Sequence, residues 1–520
     1  MTSTDTASTD RWHASLRGVL QWLLTCCFLM FFGCSRPVPR DALVIAQSPR
    51  SSNPSNARDI LDMRFPRGSR VAIVIGEPQP KTIRVLSAGL AAAGEPVVSC
   101  DARRIVFAGK VALDSDWQIY EARPDGGRVH PLTAVAGGAM DPALLSDGSL
   151  LFVSPVPKLG TQVSRTGPSC LYVQSRGGKP NRLTYGTSPV RYPTVLTDGR
   201  ILFVSSQPTA TNRAGTGLAL YTINNDGTEI SAFAGQHDEP RSIQRPRQLD
   251  DGRVVFLVAD AASLEASTAE TVLSARPFRS RALLFSNPSG RISAVQPTGN
   301  GDLLVCAQPA AGAPNPSMAV FCINFANSAL NAPVFNDLDW NSIEAVQVSA
   351  FRRPMGRLSN VDLSHSTGQI LCLDVNDSSF GVPPLGGAIS GSGIPRDSNG
   401  SPPEAGTPSR SETRATRIRV FTQSPSEQQC VIGEVEVQAD GSFMAEVPAD
   451  MPLGFEALDE HGRVLRREPA MIWVRPGENR SCIGCHEPHN HSPRNFRPLA
   501  VRAPVPKLSG EPTKLAQNGN

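Results

Sequence analysis

Near the end of a 520-residue chain stands Cys482-Ile483-Gly484-Cys485-His486. Two thiols three positions apart can each add to one vinyl group of a single heme, and the histidine that follows then lies beneath the iron as its proximal ligand. The motif predicts covalent heme c, with Cys482 and Cys485 as the thioethers and His486 on the metal. A zinc knuckle built from Cys482, Cys485 and either His489 or His491 competes for the same thiols. It would leave His486, beside Cys485, without a role. His489 and His491 are too near His486 in sequence to reach the opposite face of the same heme easily. The candidates for a sixth ligand are therefore His461, Met471, Met451, Met444 and His365, or none of them. An open position favours ligand binding or chemistry over pure electron transfer.

Heme is attached in this way outside the cytoplasm, and the N-terminus points there. Arg11 and Arg17 precede an apolar run from Val19 to Phe32, which ends at Gly33-Cys34-Ser35 and a Pro-rich stretch. This is the layout of a secretory signal over residues 1–34. Cys34 after Gly33 also resembles a bacterial lipobox, with Phe31 and Phe32 where Leu and a small residue are usual. Acylation at Cys34, simple cleavage and an uncleaved anchor all place the body outside the cytoplasm. The expectation is a periplasmic or cell-envelope protein held at a membrane through a lipid or signal anchor. Past residue 34 no apolar stretch approaches the roughly 18 residues a spanning helix needs.

Elements of what kind must position the motif? Lys+Arg number 50 against 47 Asp+Glu, a formal charge of +3, far from the basic excess by which nucleic-acid binders displace counterions. Gly (44) and Pro (45) are frequent but dispersed, as in chains of short strands joined by turns, and the composition predicts an all-β protein. One phrase recurs: a Pro or polar entry, an Asp-Gly turn, then an apolar run. It is plainest in Asp141-Pro142 through Asp147-Gly148 to Phe152, in Tyr192-Pro193 through Asp198-Gly199 to Phe203, and in Arg245-Pro246 through Asp251-Gly252 to Phe256. Weaker copies center on Phe107, Val305 and Leu371, the last in Thr367–Leu371. A spacing near 50 with several strands per unit is the signature of propeller blades, and six copies predict about six blades over residues 65–374, after a linker at 35–64.

Residues 375–415 hold few large apolar side chains and read as a flexible linker. Alternating runs such as Ile418-Arg419-Val420-Phe421 and Phe443–Val447 then predict a small β-sandwich over 416–475. A heme-binding segment follows at 476–498, and a disordered tail at 499–520. Of the remaining cysteines, Cys306 and Cys322 stand at the ends of a predicted hairpin and are the best candidates for a disulfide, with buried free thiols as the alternative.

The run Asp440–Phe443, Glu446–Leu453, Ala457–Asp459, Arg475–Glu478 and Cys482–Pro488 resembles the family built around the hydrazine synthase alpha subunit. The resemblance is specific over Arg417–Pro488 and architectural over the repeats, which resemble TolB-type blades. It implies a propeller, a small middle domain and a c-type heme in that order, with thioethers at Cys482 and Cys485 and the proximal ligand at His486. It does not transfer the reaction: this chain has no second attachment motif and no tyrosine after Tyr221, with Asn490 where an iron-binding tyrosine of the synthase is sought.

The first functional expectation is a monoheme cytochrome that relays single electrons to a redox partner protein or another heme subunit. The second is a heme-dependent oxidoreductase acting on a small nitrogen or oxygen compound. The third is a propeller scaffold with a structural heme or zinc.

Overall fold

The computed structural model describes residues 42–50, 60–76, 82–155, 168–206, 217–236, 241–260, 265–287, 290–309, 317–325, 329–377, 414–423, 429–468, 470–484, 496–508 and 513–514. The described residues form strands almost throughout, with one short α-helix, Ile60–Arg64, and a 3₁₀ turn at Leu499–Arg502. None of their helices is long and apolar enough to cross a membrane.

Six antiparallel sheets make the propeller. The innermost strands are Ala92–Val98, Met140–Leu144, Val190–Val195, Arg241–Gln248, Ile292–Pro297 and Trp340–Gln347, and each contacts the next around the ring. The six-blade expectation holds, with different blades. The closing blade takes only its innermost strand, Trp340–Gln347, from the end of the propeller. The other three, Leu43–Pro49, Arg70–Ile75 and Thr82–Val85, come from the N-terminal side. The propeller thus spans 43–347 rather than 65–374, and the predicted linker at 35–64 contains a fully paired strand. Thr367–Leu371, read as the sixth copy, belongs to the next domain, since a Gly turn followed by an apolar run does not specify its partner strand.

The repeated phrase has a physical basis. In each Asp-Gly copy the aspartate accepts a backbone N–H two residues on, from Ser149, Arg200 and Arg253 at 2.9, 3.0 and 2.9 Å. The glycine takes a positive φ near 85° that other residues adopt only under strain. The apolar residue on the following strand, Phe107, Phe152, Phe203, Phe256 or Val305, is fully buried. In three consecutive blades it stacks on a cross-strand tyrosine: Tyr120, Tyr172 and Tyr221.

The three dipeptides read as strand entries, and Glu95-Pro96, which the pattern did not single out, do more than enter. Glu95-Pro96, Asp141-Pro142, Tyr192-Pro193 and Arg245-Pro246 are β-bulges in four successive innermost strands. Glu95, Asp141, Tyr192 and Arg245 all take φ between 49° and 56°. The bulges turn these four side chains into the channel, where Glu344 of the closing blade joins them. Asp141 receives Arg191 Nε at 2.5 Å, and Arg64, from the short helix, reaches Glu344 Oε1 at 2.8 Å.

Burial, then the charge of nearby Asp141, push the Glu95 carboxyl well above its usual range. A raised carboxyl contributes stability that is present below the unfolded-state value of about 4.3 and is lost as pH rises through the folded-state value. Glu95→Gln is therefore expected to make thermal stability flatter above pH 5 than in the wild type. Parallel alkaline declines in the two proteins would overturn that expectation.

The second domain is the predicted β-sandwich, with wider limits. One sheet orders Val464–Arg467, Gly454–Leu458, Arg417–Gln423, Gln429–Glu436 and Thr513–Lys514, and the other orders Phe443–Pro448, Thr367–Asp374 and Asn479–Gly484. Ile418, Val420 and Val435 of the first sheet pack on Ile370, Cys372 and Phe443 of the second. The tail expected to be disordered contributes Ala500 and Leu508, both buried, and its Lys507 bridges to Glu446. Most of the predicted linker, 378–413, lies outside the described residues.

Cys306 and Cys322 are free thiols, Cys306 buried and Cys322 exposed. They sit on paired strands, but Cys306 is in register with Val320 and Cys322 with Leu304, two steps off the opposition a disulfide needs.

Candidate functional site

Cys482 is the fourth residue of the strand Asn479–Gly484. This strand runs parallel to Thr367–Asp374, with Cys482 in register with Cys372 and Gly484 with Asp374. A parallel neighbor after a long excursion is not visible in local pattern, so the sequence reading left the strand in a separate heme segment. Cys482 is half-buried and rims the core of the sandwich, against which it packs with Ile472 and Met451. Its surroundings are apolar on one side and accessible on the other. Gly484 ends the strand where the backbone carbonyl of Asp377 approaches so closely that a Cβ would collide with it. Any side chain at 484 would push the strand end, and the cysteine two positions earlier, out of place.

Cys485 and His486, the other two residues of the motif, lie outside the described residues, as do His489, His491, Asn490 and Cys34. Among the described residues no group of three or more metal-binding side chains gathers.

Several sixth-ligand candidates are placed away from Cys482. His365 precedes Cys372 by seven positions, on the segment leading into the neighboring strand, roughly 20 Å at the rise of a strand. Its imidazole is exposed and paired with Asp362 at 3.1 Å. Met444 neighbors Phe443, which is in register with Cys372, and strand alternation puts it on the opposite face from that buried pair. His461 is in an exposed turn of the other sheet, beside Glu460. Met451 and Met471 flank the Leu453–Ile472 bridge, half-buried, and Met451 shares the apolar cluster that Cys482 rims.

What holds the strand is a set of contacts to the propeller that sequence reading missed. Trp473 is buried, donates from Nε1 to the carbonyl of Gly227 at 3.1 Å, and lies against Gly186. Arg475 Nη1 donates to the Arg182 carbonyl at 2.7 Å and to the Tyr185 hydroxyl at 3.0 Å. Glu478 accepts the N–H of Glu229 at 2.9 Å and that of Arg475 at 2.7 Å, and Arg480 donates to the Ile230 carbonyl at 2.5 Å. Burial raises the Glu478 carboxyl and pushes the Tyr185 hydroxyl up to about 12. The C-terminal half lacks tyrosine, yet the fold brings one, Tyr185, to the segment leading into the motif. Density of Trp, Arg and Glu over 473–480 is the one local signal by which the sequence distinguishes this segment from a plain connector.

Residues 349–366 bind the domains along a second line. Phe351 N–H meets the carbonyl of Cys100, Arg353 Nε that of Ser146 and Met355 N–H that of Thr197, so the strap crosses three consecutive blades at the turn after the innermost strand, and Asn360 N–H then meets the carboxylate of Asp226 at 2.8 Å in a later turn of the third.

Trp473→Ala is expected to cost about 3–5 kcal/mol, through lost burial and an orphaned Gly227 carbonyl. Urea unfolding followed by tryptophan fluorescence and by far-ultraviolet circular dichroism would show it. A loss under about 1 kcal/mol would mean that the domain contact does not depend on this side chain.

Residues 398–487 match the family model described as the hydrazine synthase alpha subunit middle domain. Hydrazine synthase subunit alpha of Kuenenia stuttgartiensis is 22% identical over 562 aligned residues, which take in 88% of this chain and 67% of that protein. The solved hydrazine synthase of Kuenenia stuttgartiensis superposes with a TM-score of 0.72 at 18% identity, over 89% of this chain and 72% of that chain. TolB from Acinetobacter baumannii overlaps over 52% of this chain and 61% of its own, at 13% identity and a TM-score of 0.33. In the sequence of its middle domain, and in fold along most of its length, this chain is similar to the hydrazine synthase alpha subunit.

Proposed function

We propose that the protein is an extracytoplasmic, single-heme member of the hydrazine-synthase-alpha type, and that it passes single electrons to a redox partner. The observation that carries this reading is the setting of Cys482. The first cysteine of an attachment motif rims an apolar core, on a strand that Trp473, Arg475, Glu478 and Arg480 fix to the propeller. Cys482 and Cys485 would hold the heme and His486 its iron, and the group would supply reversible one-electron chemistry. The chain's own residues would mount it rigidly and give its edge an apolar wall. Anchoring at Cys34 belongs to the same reading: it would keep the protein beside a membrane.

A second reading, a heme enzyme acting on a small nitrogen compound, is favored by likeness to a hydrazine synthase subunit over most of the chain. The test is an absorption spectrum of the mature protein, oxidized and reduced, made with heme-attachment machinery and repeated after acid-acetone extraction. Bands that resist extraction with a low-spin signature support electron relay. Resistant high-spin bands that shift with added small ligands favor the enzyme. Absence of retained heme would defeat both and leave a scaffold with zinc or no metal.

A further inference from the structure

The propeller channel contains a site on which the heme reading does not draw. Arg245 is 4% exposed and lines a cavity with Glu95, Asp141, Tyr192 and Glu344. Its Nη1 donates to Glu344, and its guanidinium lies over the Tyr192 ring at 4.8 Å. Its Nε and Nη2 have no hydrogen-bond partner, and neither does Glu95 Oε1, although all three atoms are fully enclosed. Nη2 and Glu95 Oε1 are 3.9 Å apart, close enough for charge attraction and too far for a hydrogen bond. Buried donors of a charged group rarely stay unmade, so a bound acceptor is expected at Arg245.

The charges decide its sign. Asp141 is engaged by Arg191 through two nitrogens, at 2.5 and 3.3 Å. Glu344 alone faces two guanidiniums, those of Arg64 and Arg245. Even with Glu95 counted as an anion, four guanidiniums, those of Arg64, Arg191, Arg245 and Arg247, stand against three carboxylates, and burial and then Asp141 push the Glu95 carboxyl up and so weaken its balancing charge. Arg247, at the rim, is the fourth of these positive charges. A cluster with surplus positive charge and unmade donors is stabilized by an anion more than by water, which satisfies donors but not charge. The cavity is narrow where these side chains converge, and a compact anion suits it better than a larger oxyanion.

We propose that the center of the propeller is a binding site for one small monovalent anion of chloride size, held by Nε and Nη2 of Arg245. The anion would tie together blades that each contribute one bulge to the channel.

Two measurements test this on the full chain. Thermal unfolding in sodium chloride is compared with sodium gluconate at equal ionic strength, and crystals soaked in sodium bromide are examined for anomalous scattering. The expected results are a midpoint about 3 °C higher in chloride at tenfold saturation, and a bromide peak within hydrogen-bond distance of Arg245 Nε or Nη2. Arg245→Gln should abolish the difference between the salts. Equal midpoints with no bromide peak would overturn the proposal, as would a chloride effect that survives Arg245→Gln. Should that variant fail to fold, the bromide peak in the wild type decides alone.

Discussion

Cys482→Ser combined with Cys485→Ser is expected to give a folded protein that loses all of its heme to acid-acetone. A serine hydroxyl does not add to a vinyl group as a thiol does, so both covalent links disappear, and His486 alone would hold the heme only by exchangeable coordination. Folding should survive, because Cys482 is half-buried at the core's rim and its Cys372 neighbor, with Ile370, keeps the sheet packed. Cys372→Ser is the control: that thiol is buried in register with Cys482 but is not part of the motif, and the variant should keep its heme. The readout is the Soret absorbance remaining with the precipitated protein, together with intact mass, which would drop by one heme in the double variant. Covalent heme persisting in the double variant would rule out these cysteines as the attachment points. Stoichiometric zinc in the wild type, lost from the double variant, would turn the site into a zinc knuckle.

A loss of stability as large as that of Trp473→Ala is expected from Asp141→Ala. The carboxylate accepts two hydrogen bonds from Arg191 and one from the Tyr192 N–H at 3.0 Å, all from the adjacent blade. Removing it strands a buried guanidinium, a change that typically costs about 3–5 kcal/mol. Asp141→Ala with Arg191→Met should recover much of the loss, because the pair's net worth is smaller than the damage of splitting it. The same contact sets an acid limit. Burial acts to raise the Asp141 carboxyl, but the Arg191 charge and hydrogen bonds override it and hold it at about 2. A depressed carboxyl contributes stability that is present above its unfolded value near 3.9 and is lost as pH falls through about 2. Acid unfolding monitored between pH 5 and pH 2 should therefore steepen toward the low end in the wild type and lose that component in Asp141→Ala. A urea midpoint for the single variant within about 1 kcal/mol of the wild type would remove the pair from the account of what holds the blades together.

Much of this was legible before any coordinates. The tight turns, three of them Asp-Gly, and the buried residue after each, Phe107 to Val305, are local, because a turn and its two strands lie close together in sequence. They marked five blades directly. The closing blade was not legible, since the partner of Leu43–Pro49 is the distant strand Trp340–Gln347 and nothing in either segment names the other. Thr367–Leu371 failed for the same reason in reverse: its pattern is that of a blade strand, but its neighbors are Phe443–Pro448 and the motif strand. The Asp141-Pro142, Tyr192-Pro193 and Arg245-Pro246 dipeptides were seen, yet whether a polar residue before proline meets solvent or a channel depends on a bulge that only the ring imposes. At Cys482–His486 the residue types alone suggest heme attachment, and of that motif the described residues include only Cys482, Ile483 and Gly484. The rivets at Trp473 to Arg480 were not legible, because their partners are main-chain carbonyls and N–H groups of the propeller, which carry no sequence signal.

The closing blade has a consequence for how the molecule is made. Leu43 pairs with Gln347, about 300 positions further on, so the ring can be completed only after nearly the whole propeller exists and its ends have met. Until then Leu43–Pro49 and its neighbor Arg70–Ile75 form an apolar ribbon with an unpaired edge, the kind of surface that joins other chains. The final closure is thus expected to set the refolding rate. A circular permutation that opens the chain at the Asp251-Gly252 turn should move the last, long-range pairing from Leu43–Pro49 with Trp340–Gln347 to Arg241–Gln248 with Arg253–Asp260, and pulse-labeled hydrogen exchange during refolding would show which pair is protected last.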